Sequence, residues 1–408
     1  MFFFKASAYF LMRLDAAGCD WTRWATRHEN RLYSSESCGI IIEAFYLNSV
    51  MEIWRISYMK KIQTILVLVL VSALMFSAAG CKKRATDVFQ SWNSCDSLNS
   101  LIEYVEDVTN KNSKNFIPVE DRIATFDMDG TFIGELYPSY FEYNMLEYRV
   151  LDDPTYKDKA SESEVAAAQA IRDFVRTGKP LPPAFDMIHA HAAAKAYAGL
   201  TLAEFDSYVK AYAKKSANGF TGMTYAESFY KPMLEVFDYL RANGFTFYVV
   251  TGSDRFIART LVSSINIEPE FVIGMDVLLK SNHQGDEDGV TYTYGKDDTL
   301  LRTDTLIIKN LKTNKVKQIA QEIGKVPVLS FGNSGGDSAM HNYCLSNKKY
   351  RSRAFMLIAD DDEDDHAKRE KGLKLGEDWK KAGYVVISMR DDFKTIYGQD
   401  VKKVDFKF

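Results

Sequence analysis

From residue 120 onward, short apolar runs alternate with amphipathic or polar stretches. "RIATFDM" at 122–128, "FTFYVVTG" at 245–252, "FVIGM" at 271–275, "VPVLSF" at 326–331, "AFMLIA" at 354–359 and "YVVISM" at 384–389 have the length and near-continuous apolarity of strands buried on both faces. Most of the segments between them carry helical or turn patterns. Phe229, Met233, Val236, Phe237 and Leu240 share one helical face, and Asn243-Gly244 supplies its stop. The pattern predicts an α/β fold with a mostly parallel sheet covered on both sides. Residues 276–309 depart from it: Gly285, Gly289 and the alternating "VTYTYG" predict a β-hairpin excursion.

More than a hundred residues separate the first two strands. Helical composition around 139–150, 162–176, 184–198 and 201–217, broken by Gly178, Pro180, Pro182, Pro183 and Gly199, predicts a helical second domain inserted over 132–225. The first domain would comprise 116–131 and 226–408. Ahead of it, 81–115 is polar and Ser/Asn-rich and reads as a tether, with a helix around Leu98 to Val108.

The region before that has the order of an export signal. Lys60 and Lys61 precede an apolar run from Ile62 to Phe76, then small residues and Cys81. The run is shorter than the roughly 20 residues a spanning helix needs. "AAGC" at 78–81 resembles the lipobox of bacterial lipoproteins, although Ala78 stands where leucine is usual. Residues 59–80 would then be a signal peptide and Cys81 the lipidated N-terminus of an envelope protein facing the periplasm or exterior; an uncleaved anchor helix is the alternative. Residues 1–58 read as an upstream extension from a misassigned start.

Composition narrows the function only slightly. In 408 residues, 46% hydrophobic and 13% aromatic content excludes a disordered chain, and a net charge of −4 gives no basic surplus for nucleic acid. Beyond Cys81 and the upstream cysteines, Cys95 and Cys344 are too few for a disulfide framework or a metal site.

Chemistry-bearing residues fall at strand ends. Asp127 and Asp129 close the first strand, Thr251-Gly252 the second, and "FGNSGGDSAM" at 331–340 a later one, with Lys315 between. In an open α/β sheet the loops at the carboxyl ends of strands converge on one crevice. A carboxylate there can attack an electrophile, and a second carboxyl can protonate the leaving oxygen. A hard cation, a lysine and a hydroxyl can neutralise a phosphoryl group.

"FDMDGT", "VVTGS", "NKVKQI" and "GNSGGDSAM" resemble, in order, the four motifs of the haloacid dehalogenase superfamily, and the chain is most similar to its phosphoserine-phosphatase-like branch over about residues 120–390. The resemblance implies a phosphatase with a Rossmann-like core and a helical cap, using Mg²⁺. It also implies roles: Asp127 as nucleophile, Asp129 as acid/base, Thr251, Gly252 and Lys315 as phosphate ligands, and Asp127, Asp129, Asn333 and Asp337 around the metal. Asn333 follows Gly332 where the superfamily often has aspartate, so it brings a carbonyl oxygen without charge. Lys309, Lys312 and Lys317 compete with Lys315 for its place. Asp129 favours phosphoester hydrolysis over carbon–halogen cleavage, because an alkoxide needs a proton to leave.

Plainer readings stand beside these. Asp-x-Asp alone is commonly a turn or a cap, and Thr251-Gly252-Ser253 would also cap a helix at 254–264. His189 and His191 are expected to be ordinary cap residues, and Asp360–Asp365 a solvated loop. Glu135 lies where the cap begins and is a candidate substrate contact. Two functions remain: a lipid-anchored phosphomonoesterase acting on small metabolites, with phosphoserine as one specific substrate, and a non-catalytic lipoprotein binding a phosphorylated ligand or a partner.

Overall fold

The computed structural model describes residues 88–408, together with Met51 and Met59. The expected upstream extension, the signal peptide and Cys81 lie outside these residues. Residues 82–408 form one compact unit. Among the described residues no helix is long and apolar enough to cross a membrane.

Helix α1 (Asp96–Thr109) corrects the expectation of a tether. Leu98, Leu101, Val105 and Val108 recur at helical spacing, and with Tyr104 they are buried in the main core. The Tyr104 hydroxyl lies 2.9 Å from the carbonyls of both Val328 and Arg351 and shares its proton between them, so the helix is pinned to the segments that lead into β6 and β7. The polar composition of this stretch belongs to the helix's outer face.

Strand β1 (Ile123–Phe126) is wholly buried. After it come the inserted helices α2 (Phe141–Leu151), α3 (Glu162–Thr177), α4 (Phe185–Ala196) and α5 (Leu202–Ala213), then the short strand β2 (Phe220–Thr221). Helix α6 (Lys231–Ala242) leads into β3 (Thr246–Asp254), α7 (Arg255–Val262) and β4 (Val272–Ser281). β5 (Leu300–Ile308), α8 (Thr313–Gln318), β6 (Leu329–Gly332), α9 (Ser338–Leu345), β7 (Arg353–Ile358), α10 (Arg369–Lys381), β8 (Val385–Ser388) and β9 (Lys402–Lys403) complete the chain.

Seven strands form one Rossmann-like sheet in the order β5-β4-β3-β1-β6-β7-β8, parallel except for the antiparallel pair β4/β5. That pair is the expected hairpin, but it belongs to the main sheet as its edge. Phe126, Phe331 and Phe355 occupy one register across β1, β6 and β7 and stack with ring centroids 4.3 and 4.8 Å apart. The chain builds outward from β1 on one side through β3, β4 and β5, then crosses to the other side at β6. This reversal opens a crevice at the carboxyl ends of β1, β3 and β6.

The inserted helices dock on the sheet through the outer edge of β5. Arg302 N–H donates to the Leu200 carbonyl at 2.9 Å, and Gly199 N–H to the Arg302 carbonyl at 2.8 Å. β9 pairs antiparallel with β2, so the C-terminal tail closes over the end of the insertion. There Gly219, at φ +86°, has no room for a Cβ: it would come within 2.6 Å of both the His366 and Phe406 rings.

Candidate active site

Asp127 follows β1, and its N–H donates to the Phe331 carbonyl on β6 at 2.9 Å. The sheet's own ladder therefore fixes it at the crevice floor. Three residues on, Gly130 turns the chain at φ +73°; a Cβ there would lie 1.9 Å from Asn333 Nδ2, so the turn excludes any side chain. Asn333 and Asp337 belong to the loop after β6.

Lys315, in α8, is buried and donates to Asp127 Oδ1 at 2.5 Å and to Asp337 Oδ1 at 2.7 Å. Asp337 Oδ2 accepts the N–H groups of Asn333 (3.2 Å) and Ser334 (3.0 Å) and the Ser334 hydroxyl (3.1 Å). Asp337 thus orients the lysine and ties its own loop at once. Burial would raise Asp337, but the adjacent ammonium outweighs it and holds the carboxyl low. For Asp127 burial wins, helped by the charge of Asp337, and pushes it up to about 7. Of the four candidate lysines, Lys315 is the one placed against Asp127. Lys309 instead donates to Glu142 Oε1 at 3.0 Å.

Asp129 accepts the Ser253 hydroxyl at Oδ2, 2.7 Å away, while its buried Oδ1 has no hydrogen-bond partner in the protein. Burial pushes Asp129 up to about 6, opposed by the Ser253 hydrogen bond. Ser253 had no separate place in the sequence reading. Thr251 is fully buried at the end of β3, and its Oγ1 accepts the Ser253 N–H at 3.0 Å. Gly252 and Ser253 line the cavity. The cap of α7 also moves by one residue from Thr251-Gly252-Ser253, because Asp254 accepts the Phe256 N–H at 2.9 Å.

The cavity, about 70 Å³, is lined by Asp127, Asp129, Gly252, Ser253, Lys315, Asn333, Ser334 and Asp337 from the sheet side. Tyr140, Glu142, Tyr143 and Asp186 come from the inserted segment, and Glu135 and Lys309 lie between. Glu142, in the first turn of α2, also accepts the Asp254 N–H at 3.1 Å. Asp254 in turn pairs with buried Arg302 at 2.6 and 3.2 Å, and Arg302 lies 3.9 Å over the Phe205 ring of α5. A buried ionic network therefore runs from the cavity into the inserted helices. No local sequence signal marks it, because its hydrogen-bonded partners are 48 to 167 residues apart.

His189 is fully buried against Tyr143, ring centroids 4.3 Å apart, and burial pushes it down to about 4, so it is neutral. The acidic run departs from a solvated loop: Asp360, Asp361 and Asp365 are buried, and Tyr397 donates to Asp365 at 3.3 Å. Asp362, Glu363 and Asp364 face solvent, the first two paired with Arg390.

The donor set fits a hard cation. Asp127, Asp129, Glu135 and Asp337 surround one ammonium, and Glu135 Oε2 is closed from solvent without a hydrogen-bond partner in the protein. Burial, then the Asp129 and Asp127 charges, push Glu135 up to about 8. Among the described residues no group of three or more His, Cys, Asp or Glu side chains is already arranged around a metal position. Asp127 and Asp337 both bond Lys315, and with Asn333, Glu135 and Asp129 they bring their side-chain oxygens to the same cavity.

Fold and site together define a class: a Rossmann-like sheet with a helical insertion, carrying paired aspartates and a buried lysine at the switch point of its strand order. No protein-family model matches the sequence, and no curated protein matches it. Among solved structures, the chain is similar to a conserved functionally unknown protein from Anaerococcus prevotii DSM 20548, with 14% identity over 74% of this chain and 94% of that one and a TM-score of 0.44. It is similar also to cytosolic 5'-nucleotidase IIIB bound to cytidine, at 9% identity over 72% and 88% of the two chains and a TM-score of 0.42. A phosphoserine phosphohydrolase-like protein from Francisella tularensis subsp. tularensis SCHU S4 overlaps at 13% identity, 65% and 94% coverage and a TM-score of 0.35. At such overlaps, function rests on the geometry of the site.

Proposed function

We propose that the protein is a Mg²⁺-dependent phosphomonoesterase of the haloacid dehalogenase type, acting on small phosphorylated metabolites through an aspartyl-phosphate. The observation that carries this reading is Asp127 Oδ1 held 2.5 Å from a buried Lys315, with protonatable Asp129 two residues away in the same cavity. The Asp127 carboxylate attacks phosphorus as the bond to the leaving oxygen breaks. Asp129, held near 6 by burial, gives that oxygen a proton and later takes one from the water that cleaves the aspartyl-phosphate. Lys315 offsets charge on the phosphoryl group, and Asp337 keeps the lysine aimed. A bound Mg²⁺, held by Asp127, Asn333, Asp337 and Glu135 with Asp129 beside them, would further neutralise phosphate charge. From the sequence of residues 59–84 we also propose export and lipid attachment at Cys81.

The test is hydrolysis of an aryl phosphate and a panel of natural monoesters by the purified protein, with and without Mg²⁺, beside Asp127→Asn. Turnover that needs both the metal and Asp127 is expected. Unchanged turnover in the variant would overturn the nucleophile assignment, and no turnover of any ester would favour the binding lipoprotein.

A further inference from the structure

The cavity encloses about 70 Å³, far below the roughly 300–1,000 Å³ of sites that take a small organic ligand. The leaving group of a monoester therefore needs part of the lining to give. The sheet side is fixed by its own ladder, which holds Asp127 N–H on the Phe331 carbonyl. Tyr140, Glu142 and Tyr143 belong instead to the insertion, which leaves the sheet through residues 132–134 and returns through 228–230. These two connections pair with each other: Tyr230 N–H donates to the Phe132 carbonyl at 2.9 Å, and Gly134 N–H to the Ser228 carbonyl at 2.8 Å. Two short connections side by side have the form of a hinge.

Beyond that hinge the fastenings differ in kind. On the β5 side they are buried: Lys309 holds Glu142, and Arg302 covers the Phe205 ring. On the other side the grip is the C-terminal tail. Its base sits on the hinge, where the Ile396 carbonyl accepts the Lys231 N–H at 2.7 Å and the Tyr397 ring lies 5.6 Å from that of Tyr230. From there it crosses to the loop at 216–224. β9 pairs with β2, Val404 N–H donates to the Gly219 carbonyl at 2.9 Å, and Asn218 and Lys407 exchange hydrogen bonds at 2.9 and 3.0 Å. At Gly222, φ +76°, a Cβ would lie 2.6 Å from the Asp400 carbonyl oxygen, so this loop is shaped to take the tail.

The gripped loop is continuous with the cavity lining. Tyr225 N–H donates to the Lys215 carbonyl at 3.1 Å, and the Tyr225 ring packs edge-on against Tyr137 and Phe141, centroids 4.9 and 5.8 Å apart. Phe141 stands in the chain between Tyr140 and Glu142, both of which line the cavity. A terminal segment held by exposed hydrogen bonds opens at far lower cost than a buried ion pair.

Resting on the phosphatase reading, we propose that the C-terminal tail is a releasable strap. Residues 402–408 let go of the loop at 216–224 to admit the ester and grip it again once the ester is bound, while the β5 edge serves as the pivot.

The experiment locks the strap reversibly. Thr221 and Lys402 are exposed cross-strand neighbours. Antiparallel partners stand about 4.5–5.5 Å apart at Cα, within reach of a disulfide. Aryl phosphate turnover by the full chain carrying Thr221→Cys and Lys402→Cys is expected to fall about tenfold or more on oxidation and to return on reduction, with each single-cysteine variant indifferent to oxidant. Equal, Asp127-dependent turnover in the locked and reduced forms would overturn the strap and leave the phosphatase reading intact. If no form turns over any ester, hydrogen exchange with and without residues 402–408 decides. Faster exchange at 137–143 in the shortened chain, with β1 and β6 unchanged, supports the strap while the catalytic reading fails. Unchanged exchange at 137–143, or equal acceleration in β1 and β6, overturns the strap too.

Discussion

Asp129 must give a proton and then take one, so its affinity for that proton sets where the reaction can run. The Ser253 hydroxyl donates to its carboxylate and so lowers a pKa that burial has raised to about 6. Ser253→Ala removes the lowering and leaves the burial. The alkaline limb of kcat against pH is expected to move upward in that variant, and an unmoved limb would assign the proton to another group. Glu135 gives a second pH effect, on stability. Its carboxyl is raised from 4.5 to about 8, so between these values the folded protein holds a proton that the unfolded chain has released. Stability therefore falls as pH rises through that window in chelator. Glu135→Gln should flatten the fall and melt higher than wild type at its alkaline end; parallel melting curves would exclude the effect. The sequence could mark Asp127, Asp129 and Asp337 because their spacing is local. Lys315 was preferred among four lysines from the spacing of its motif, and the fold sets it against Asp127, whereas the place of Ser253 on the cavity wall beside Asp129 required the third dimension.

The strands were legible because each is apolar on both faces, and the six apolar runs correspond to β1, β3, β4, β6, β7 and β8. β4 runs on to Ser281 beyond its apolar run, because past Met275 it leaves the doubly covered part of the sheet and pairs instead with β5. Helix α1 was recognisable as a helix but not as core, since its buried stripe is diluted by Ser, Asn, Asp and Glu on the other face. Leu101, 1% exposed, tests that placement. Leu101→Ala should cost about 2–5 kcal/mol in chemical denaturation, as a buried leucine does, where a tether would tolerate it freely.

At the scale of the molecule, the inserted helices and the sheet are joined by ions as well as apolar contacts. Lys309 and Glu142 are 5% and 6% exposed, so neither can turn to water when its partner is lost. Lys309→Met alone is expected to destabilise by about 3–5 kcal/mol, and the double variant with Glu142→Leu by less than the sum of the two single changes. Additive losses in a denaturation cycle would mean that the two side chains act independently. The insertion itself was visible as a long helical interruption, whereas the network that seats it was not.

The pairing of β9 with β2 bears on how the protein is made. A chain emerging from the ribosome offers its sheet residues and inserted helices long before Lys402 and Lys403 exist, so the insertion stays unfastened at that end until those residues follow. Removing residues 402–408 is therefore expected to leave a protein whose sheet is complete and whose clasp on the insertion is missing.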